Sequence, residues 1–176
     1  MKKHFVKILL FITFALIVIL GCSHSSTASA QYRYRDPSLY EPQILPSVEA
    51  KLNGHNLKIM LARSDFEKAK GLMFYRELAS DTGMLFVYNY SHKMSFWMMN
   101  TRIPLDLIFF SEDLTVSEYI KKMVPGYGKK PDTLPQYDSK FPARYALELN
   151  AGSIEELDIK IGDKLEIPQI FLYSDN

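Results

Sequence analysis

Val48-Glu49-Ala50-Lys51-Leu52-Asn53-Gly54-His55-Asn56-Leu57-Lys58-Ile59-Met60-Leu61 decides the fold class of this 176-residue chain. Val48, Ala50 and Leu52 alternate with charged Glu49 and Lys51, so the apolar side chains share one face of a strand of period two. Asn53-Gly54 follows, a dipeptide that tolerates the left-handed backbone of a two-residue hairpin turn, and Leu57, Ile59 and Leu61 then resume the alternation. The stretch is a β-hairpin with one face turned toward a core.

The pattern continues toward the C-terminus. Ser64-Asp65-Phe66-Glu67 is a capping box: the Ser64 hydroxyl can accept from a free amide of the first helical turn while Glu67 reaches back, and Gly71 can close the short helix. Asp81-Thr82-Gly83 turns the chain into a strand from Met84 to Tyr88, and a turn from Asn89 to His92 leads into another from Met94 to Met99. Leu105 to Phe110 and Leu114 to Val124 read as a strand pair around Ser111-Glu112-Asp113. Pro125 to Pro142 holds four of the nine prolines and two glycines, which makes a loop long enough to carry function. Ala143 to Leu149 returns as a strand, and Lys164 to Ile167 closes the domain before a short apolar tail. Many short strands separated by turn signals predict a mainly β domain over residues 47–176. The expected type is an antiparallel β-sandwich or barrel, jelly-roll-like, with one or two short helices.

The N-terminus reads as an address. Lys2, Lys3 and Lys7 precede a run from Ile8 to Leu20 whose only polar residue is Thr13. These are the basic and apolar parts of a secretory signal, and the run is shorter than the ~20 residues of a membrane-crossing helix. It ends in Ile19-Leu20-Gly21-Cys22, similar to the bacterial lipobox, in which cleavage falls before a cysteine that receives a diacylglycerol thioether. Residues 1–21 are thus expected to be a signal peptide, with residues 22–46 a lipidated Cys22 and a flexible tether of small, polar, Tyr, Arg and Pro residues. The membrane is the expected partner, through lipid on Cys22. Ser23 resembles the outer-membrane sorting signal in a bacterium with two membranes; with a single membrane the same anchor leaves the domain on its outer face. An uncleaved anchor helix is the alternative.

Without Lys2, Lys3 and Lys7 the chain has 18 basic against 20 acidic residues, a charge near −2. Nucleic-acid binding needs clustered Lys and Arg, so no nucleic-acid partner is expected. Cys22 is the lone cysteine, which excludes an internal disulfide and a cysteine nucleophile in the domain. No cofactor is expected.

Five phrases, Gly71-Leu72-Met73, Gly83-Met84-Leu85-Phe86, Trp97 to Thr101 running on to Ile103-Pro104-Leu105-Asp106, Ala143 to Leu149, and Gly162-Asp163, stand in an order and spacing that resembles domain of unknown function 192 (DUF192) of bacteria and archaea. The resemblance covers roughly Ser47 to Ile167. It implies a mostly β domain of jelly-roll or sandwich type, often exported, with no established activity. Met99 departs from the pattern, which usually has a basic residue after Trp-Met; if that residue contacts an anionic ligand, the contact is lost or changed here.

Three functional readings follow. Trp97, Asn100, Asp106, Arg144 and Glu148 are candidate ligand-binding residues, the polar groups of a mostly aromatic pocket walled by the Pro125 to Pro142 loop. The alternative reading of Asp106 is structural: a cap on the 100–104 loop or a pair with Arg144. The ligand class stays open between a small molecule, a glycan and an envelope protein. The second reading is an envelope hydrolase with Asp106 and Glu148 as acid and base; no Ser-His-Asp set exists, since His55 adjoins a turn and His92 a loop. The third is Cu(I) binding by His92, Met94, Met98 and Met99, soft ligands within eight residues. Against it, Met94 and Met98 alternate with Phe96 as core residues do. A membrane-anchored extracytoplasmic binding or accessory module is the preferred reading, leaning away from an enzyme.

Overall fold

A computed structural model describes residues 40–172. The expected signal peptide, Cys22, the tether through residue 39, and residues 173–176 lie outside the described residues. The elements are β1 (Ser47–Leu52), β2 (His55–Ala62), α1 (Asp65–Lys70), β3 (Thr82–His92), β4 (Ser95–Phe96), β5 (Leu105–Phe110), β6 (Val116–Met123), β7 (Tyr137–Asp138), β8 (Ala143–Asn150), α2 (Ser153–Glu156) and β9 (Leu165–Glu166). Seven strands form one sheet in the order β6-β5-β8-β3-β2-β1-β9, curled into a half-barrel, and β4 pairs with β7 beside it. The mainly β expectation with two short helices holds.

The hairpin forms as its residues dictate. Val48 pairs with Ile59 and Ala50 with Leu57, while Asn53 and Gly54 both take positive φ in the turn. One pair departs from the antiparallel pattern: β2 and β3 run parallel, Ile59 opposite Gly83 and Leu61 opposite Leu85. A parallel return needs a crossover, and the segment carrying α1 supplies it.

Side chains of period two divide the apolar residues between the faces of the sheet. On one face, termed the inner one, lie Leu52, Ile59, Leu85, Ile108, Phe110, Tyr145, Leu147 and Leu149, with Ile154 and Ile159 in the same cluster. On the outer face Met60, Met84, Phe86, Leu107, Phe109 and Ala146 pack against Leu72, Met94, Phe96 and Met98. A sheet buried on both faces explains why β5 reads LDLIFF with every residue buried.

The outer layer is pinned at two places. Part of the proline-rich loop is ordered as β7, pairing Tyr137 with Phe96 and Asp138 with Ser95. Gly126 bridges to Met99, and a Cβ there would stand 2.2 Å from the Met98 carbonyl oxygen, so only glycine permits the approach.

Residues 40–46, assigned to the tether from sequence, are docked on the domain. Gln43 is buried and donates to the Glu67 and Gly71 carbonyls at 2.9 Å each, and its own carbonyl accepts from the Tyr75 hydroxyl. Polar composition without periodicity hid this docking, because it depends on one amide reaching the end of α1.

Candidate functional site

A cavity of about 290 Å³ opens between α1 and the outer face of the sheet. Its wall includes Lys68, Lys70 and Gly71 from α1 and its end, Phe86 and Tyr88 from β3, and Phe96, Trp97 and Met99 from β4 and the segment after it; Glu148 of β8 also lines it.

Local sequence positions each wall. The capping box forms as expected: the Glu67 amide donates to Ser64 Oγ at 3.2 Å, and Glu67 Oε2 accepts from the Ser64 and Arg63 amides at 2.9 Å each. Burial works against the Glu67 charge, but those backbone donors outweigh it and hold the carboxyl below its ordinary range. Gly71 ends the helix with φ +47°, and a Cβ there would meet Phe86 Cζ at 3.3 Å. The alternation expected for Met94 to Met99 also holds: Met94, Phe96 and Met98 are buried while Ser95 and Trp97 are exposed.

Glu148 is the unusual group. It is only 4% exposed, with Met84 opposite it on β3 and Leu107 on β5, both in the outer apolar layer. Among the described residues its carboxyl has no hydrogen-bond partner. Burial alone pushes its pKa up to about 8, so it is mostly protonated at neutral pH. Nearby, burial raises the Tyr88 hydroxyl pKa, with smaller contributions from Glu148 and Asp65. Lys68 Nζ lies 4.7 Å from the Tyr88 ring centre and 3.2 Å from the Asp65 carboxylate.

The residues singled out from sequence separate. Trp97 and Glu148 line the cavity, and so does Met99. Asp106 does not: its carboxylate accepts from the Lys122 amide at 2.8 Å, the Gly152 amide at 2.9 Å and the Ile154 amide at 3.0 Å. It therefore joins a bulge in β6 to the start of α2, neither capping the 100–104 loop nor pairing with Arg144. Arg144 donates to the Tyr88 carbonyl at 3.3 Å and pairs with Glu112. Asn100 takes φ +54° and its carbonyl accepts from the Phe74 amide at 2.9 Å, tying two loops together. The proline-rich loop pairs with β4 through β7, and none of its residues is among those lining the cavity.

Two alternatives lose their geometry. Asp106 alternates onto the inner face and Glu148 onto the outer one, so the sheet stands between the proposed acid and base. Met94 and Met98 are packing residues, 4% and 0% exposed, and His92 lies edge-on to Tyr88, 4.7 Å between ring centres. Among the described residues no group of three or more His, Cys, Asp or Glu could hold a metal.

Sequence reasoning missed Lys68, Phe86 and Tyr88. The available signal was the Gly71-Leu72-Met73 phrase: a helix that must end in glycine against an aromatic strand marks a close approach.

Fold and site together define a small curled-sheet domain with an aromatic cavity over a buried acid. The chain belongs to the DUF192 family, described as "Uncharacterized ACR", whose profile matches residues 48–167. A crystal structure from Sinorhizobium meliloti, described as a candidate transcription regulator, is 33% identical with a TM-score of 0.64, covering 70% of this chain and 96% of that one. A protein of unknown function from Novosphingobium aromaticivorans is 36% identical with a TM-score of 0.62, covering 72% and 92%. No curated protein matches the sequence.

Proposed function

We propose that this protein is a lipid-anchored, extracytoplasmic binding module that takes a small ligand in the Trp97–Glu148 cavity. The basic and apolar leader ending at Gly21-Cys22 supports export and lipidation. The anchor then sits in the outer membrane where there are two membranes, and otherwise on the outer face of the cytoplasmic membrane.

Glu148 carries the binding reading. A buried acid without a hydrogen-bond partner costs stability, and such groups collect where a ligand completes them. Aromatic walls with a few convergent polar groups are the usual construction of a small-molecule site. Binding is preferred to hydrolysis because Asp106 is fully engaged with backbone amides on the other face.

The test is native mass spectrometry of the full chain extracted gently from bacterial membranes. A small-molecule adduct is expected on the wild type and absent from Trp97→Ala and Glu148→Gln. A wild type without adduct, unshifted in melting by envelope extracts, rejects the reading. For the anchor, Cys22→Ala should lose lipid labelling; a variant still membrane-bound with its first 21 residues attached replaces the lipoprotein with an anchor helix.

A further inference from the structure

We propose that the ligand of this cavity is a small zwitterion, seated with its ammonium inward on Glu148 and its anionic group outward near the lysines of α1; this rests on the binding reading above. The lining changes character from floor to mouth. Glu148 stands on the apolar outer face, its carboxyl without a hydrogen-bond partner among the described residues and its strand neighbours Met84 and Leu107 supplying none. An entering ammonium gives it both charge and donors. The walls suit the same cation, since Phe86, Tyr88 and Trp97 stand in them and aromatic rings attract cations. Lys68 already sits 4.7 Å from the Tyr88 ring centre.

At the mouth the sign reverses. Among the described residues, the charged and titratable groups that line the cavity with Glu148 are Lys68, Lys70 and Asp65 on α1 and Tyr88 on β3; β4 and the segment after it bring the uncharged Trp97, Met99 and Thr101. Lys68 and Lys70 both stand in this wall, Lys68 against Asp65 and the Tyr88 ring and Lys70 against the Phe66 ring, and their ammonium groups suit an anion. They also disfavour a ligand that is only cationic. A cavity of about 290 Å³ accommodates a molecule of amino-acid size.

Binding of this kind is coupled to a proton. The neutral carboxyl of Glu148 meets the ligand ammonium, an ion pair forms, and one proton leaves to solvent. Because Glu148 titrates near 8, affinity should rise as pH rises toward that value.

Trp97 is the single tryptophan, so its fluorescence in the full chain reports occupancy. Three probes share one apolar body: L-phenylalanine, phenethylamine, which lacks the anion, and 3-phenylpropionate, which lacks the cation. Phenylalanine should bind most tightly, with an association constant rising roughly tenfold per pH unit between about pH 5.5 and 7.5. Glu148→Gln should remove that slope. Lys68→Gln with Lys70→Gln should bring phenylalanine down to the level of phenethylamine.

The inference is overturned if 3-phenylpropionate matches phenylalanine, if wild-type binding is flat with pH, or if no probe binds at about ten millimolar, the weak end of specific affinity. The wild-type slope needs no variant, so a folding failure in Glu148→Gln cannot shelter the proposal. The native spectra separate the two readings: where the probes fail in one of these ways, a wild-type adduct that is lost in Glu148→Gln keeps the cavity as a binding site and rejects the zwitterion alone, whereas no adduct rejects both.

Discussion

Asp106 and Glu148 are acids on adjacent strands, one register step apart, with Asp106 opposite Leu149 and Leu107 opposite Glu148. Both are buried, at 1% and 4% exposure. Asp106 lies on the inner face, where three backbone amides point at its oxygens. Glu148 lies on the outer face beneath an open cavity, where apolar side chains flank it. Burial alone therefore does not separate structural from functional acids; the supply of donors does. Where the fold itself completes the hydrogen bonds, the carboxylate is part of the frame. Where it does not, the vacancy is available to something else.

The largest expected effect breaks the frame side. Asp106→Ala orphans three amides, two at the start of α2 and one at the β6 bulge where Lys122 takes φ +56°. Each buried donor left unsatisfied costs about 1 to 3 kcal/mol, so chemical denaturation should show a loss of about 4 kcal/mol. A loss below about 1 kcal/mol would put Asp106 in the same class as Glu148 and end the contrast.

Glu148→Gln should act in the opposite direction. The folded state holds the Glu148 proton up to about pH 8, against an ordinary value of 4.5. Its protonation therefore favours the fold fully below 4.5, and that contribution is lost progressively as pH rises through 8. Glutamine has no such loss, so the variant should gain on the order of 3 kcal/mol over wild type at pH 7 and nothing below about pH 4.5. Stability measured against pH checks this. A variant less stable at every pH would mean that Glu148 is anchored by contacts of the Asp106 kind.

A smaller effect concerns the wall that makes the cavity. Ser64→Ala removes the side-chain acceptor of the capping box and should cost about 1 kcal/mol. Faster hydrogen exchange should be confined to the amides of α1, because the outer apolar layer is anchored mainly by the strands. Exchange spreading into β3 and β8 would show that α1 supports the sheet rather than only walling the cavity.

Much of the frame was legible in the residues. The hairpin, the capping box and the alternation around Phe96 each depend on neighbours in sequence, where propensity and periodicity act. The parallel pairing of β2 with β3 was not legible, because a six-residue helix gives no sign of which sheet edge it returns to. At the site, Trp97 and Glu148 could be named individually, one as an aromatic at a strand end and the other as a charge in an apolar strand. Their meeting with Lys68 and Tyr88, and the departure of Asp106 to the opposite face, depend on register and on a bulge. Neither leaves a local mark. Arg144 was drawn to Glu112 by a turn 32 residues away, which no pattern around Arg144 announces.

The smallest expected stability change tests whether a charge inside the cavity can turn Glu148 into an acid of the Asp106 kind. Met99 lines the same cavity. Met99→Lys brings an ammonium on a flexible stem into that space, and an ion pair formed out of water roughly balances its desolvation cost. Net stability at pH 7 should therefore move by less than about 1 kcal/mol. The pH profile should change far more: Glu148, now with an opposite charge, should titrate below its present value near 8, flattening stability between pH 4.5 and 8. Carboxyl carbon chemical shifts followed through a titration measure this directly. The same ammonium should compete with phenethylamine for Glu148 and weaken its binding. An unchanged titration with unchanged phenethylamine binding would place the introduced charge out of reach of Glu148, and the acid would then be isolated by geometry rather than by the absence of a basic neighbour.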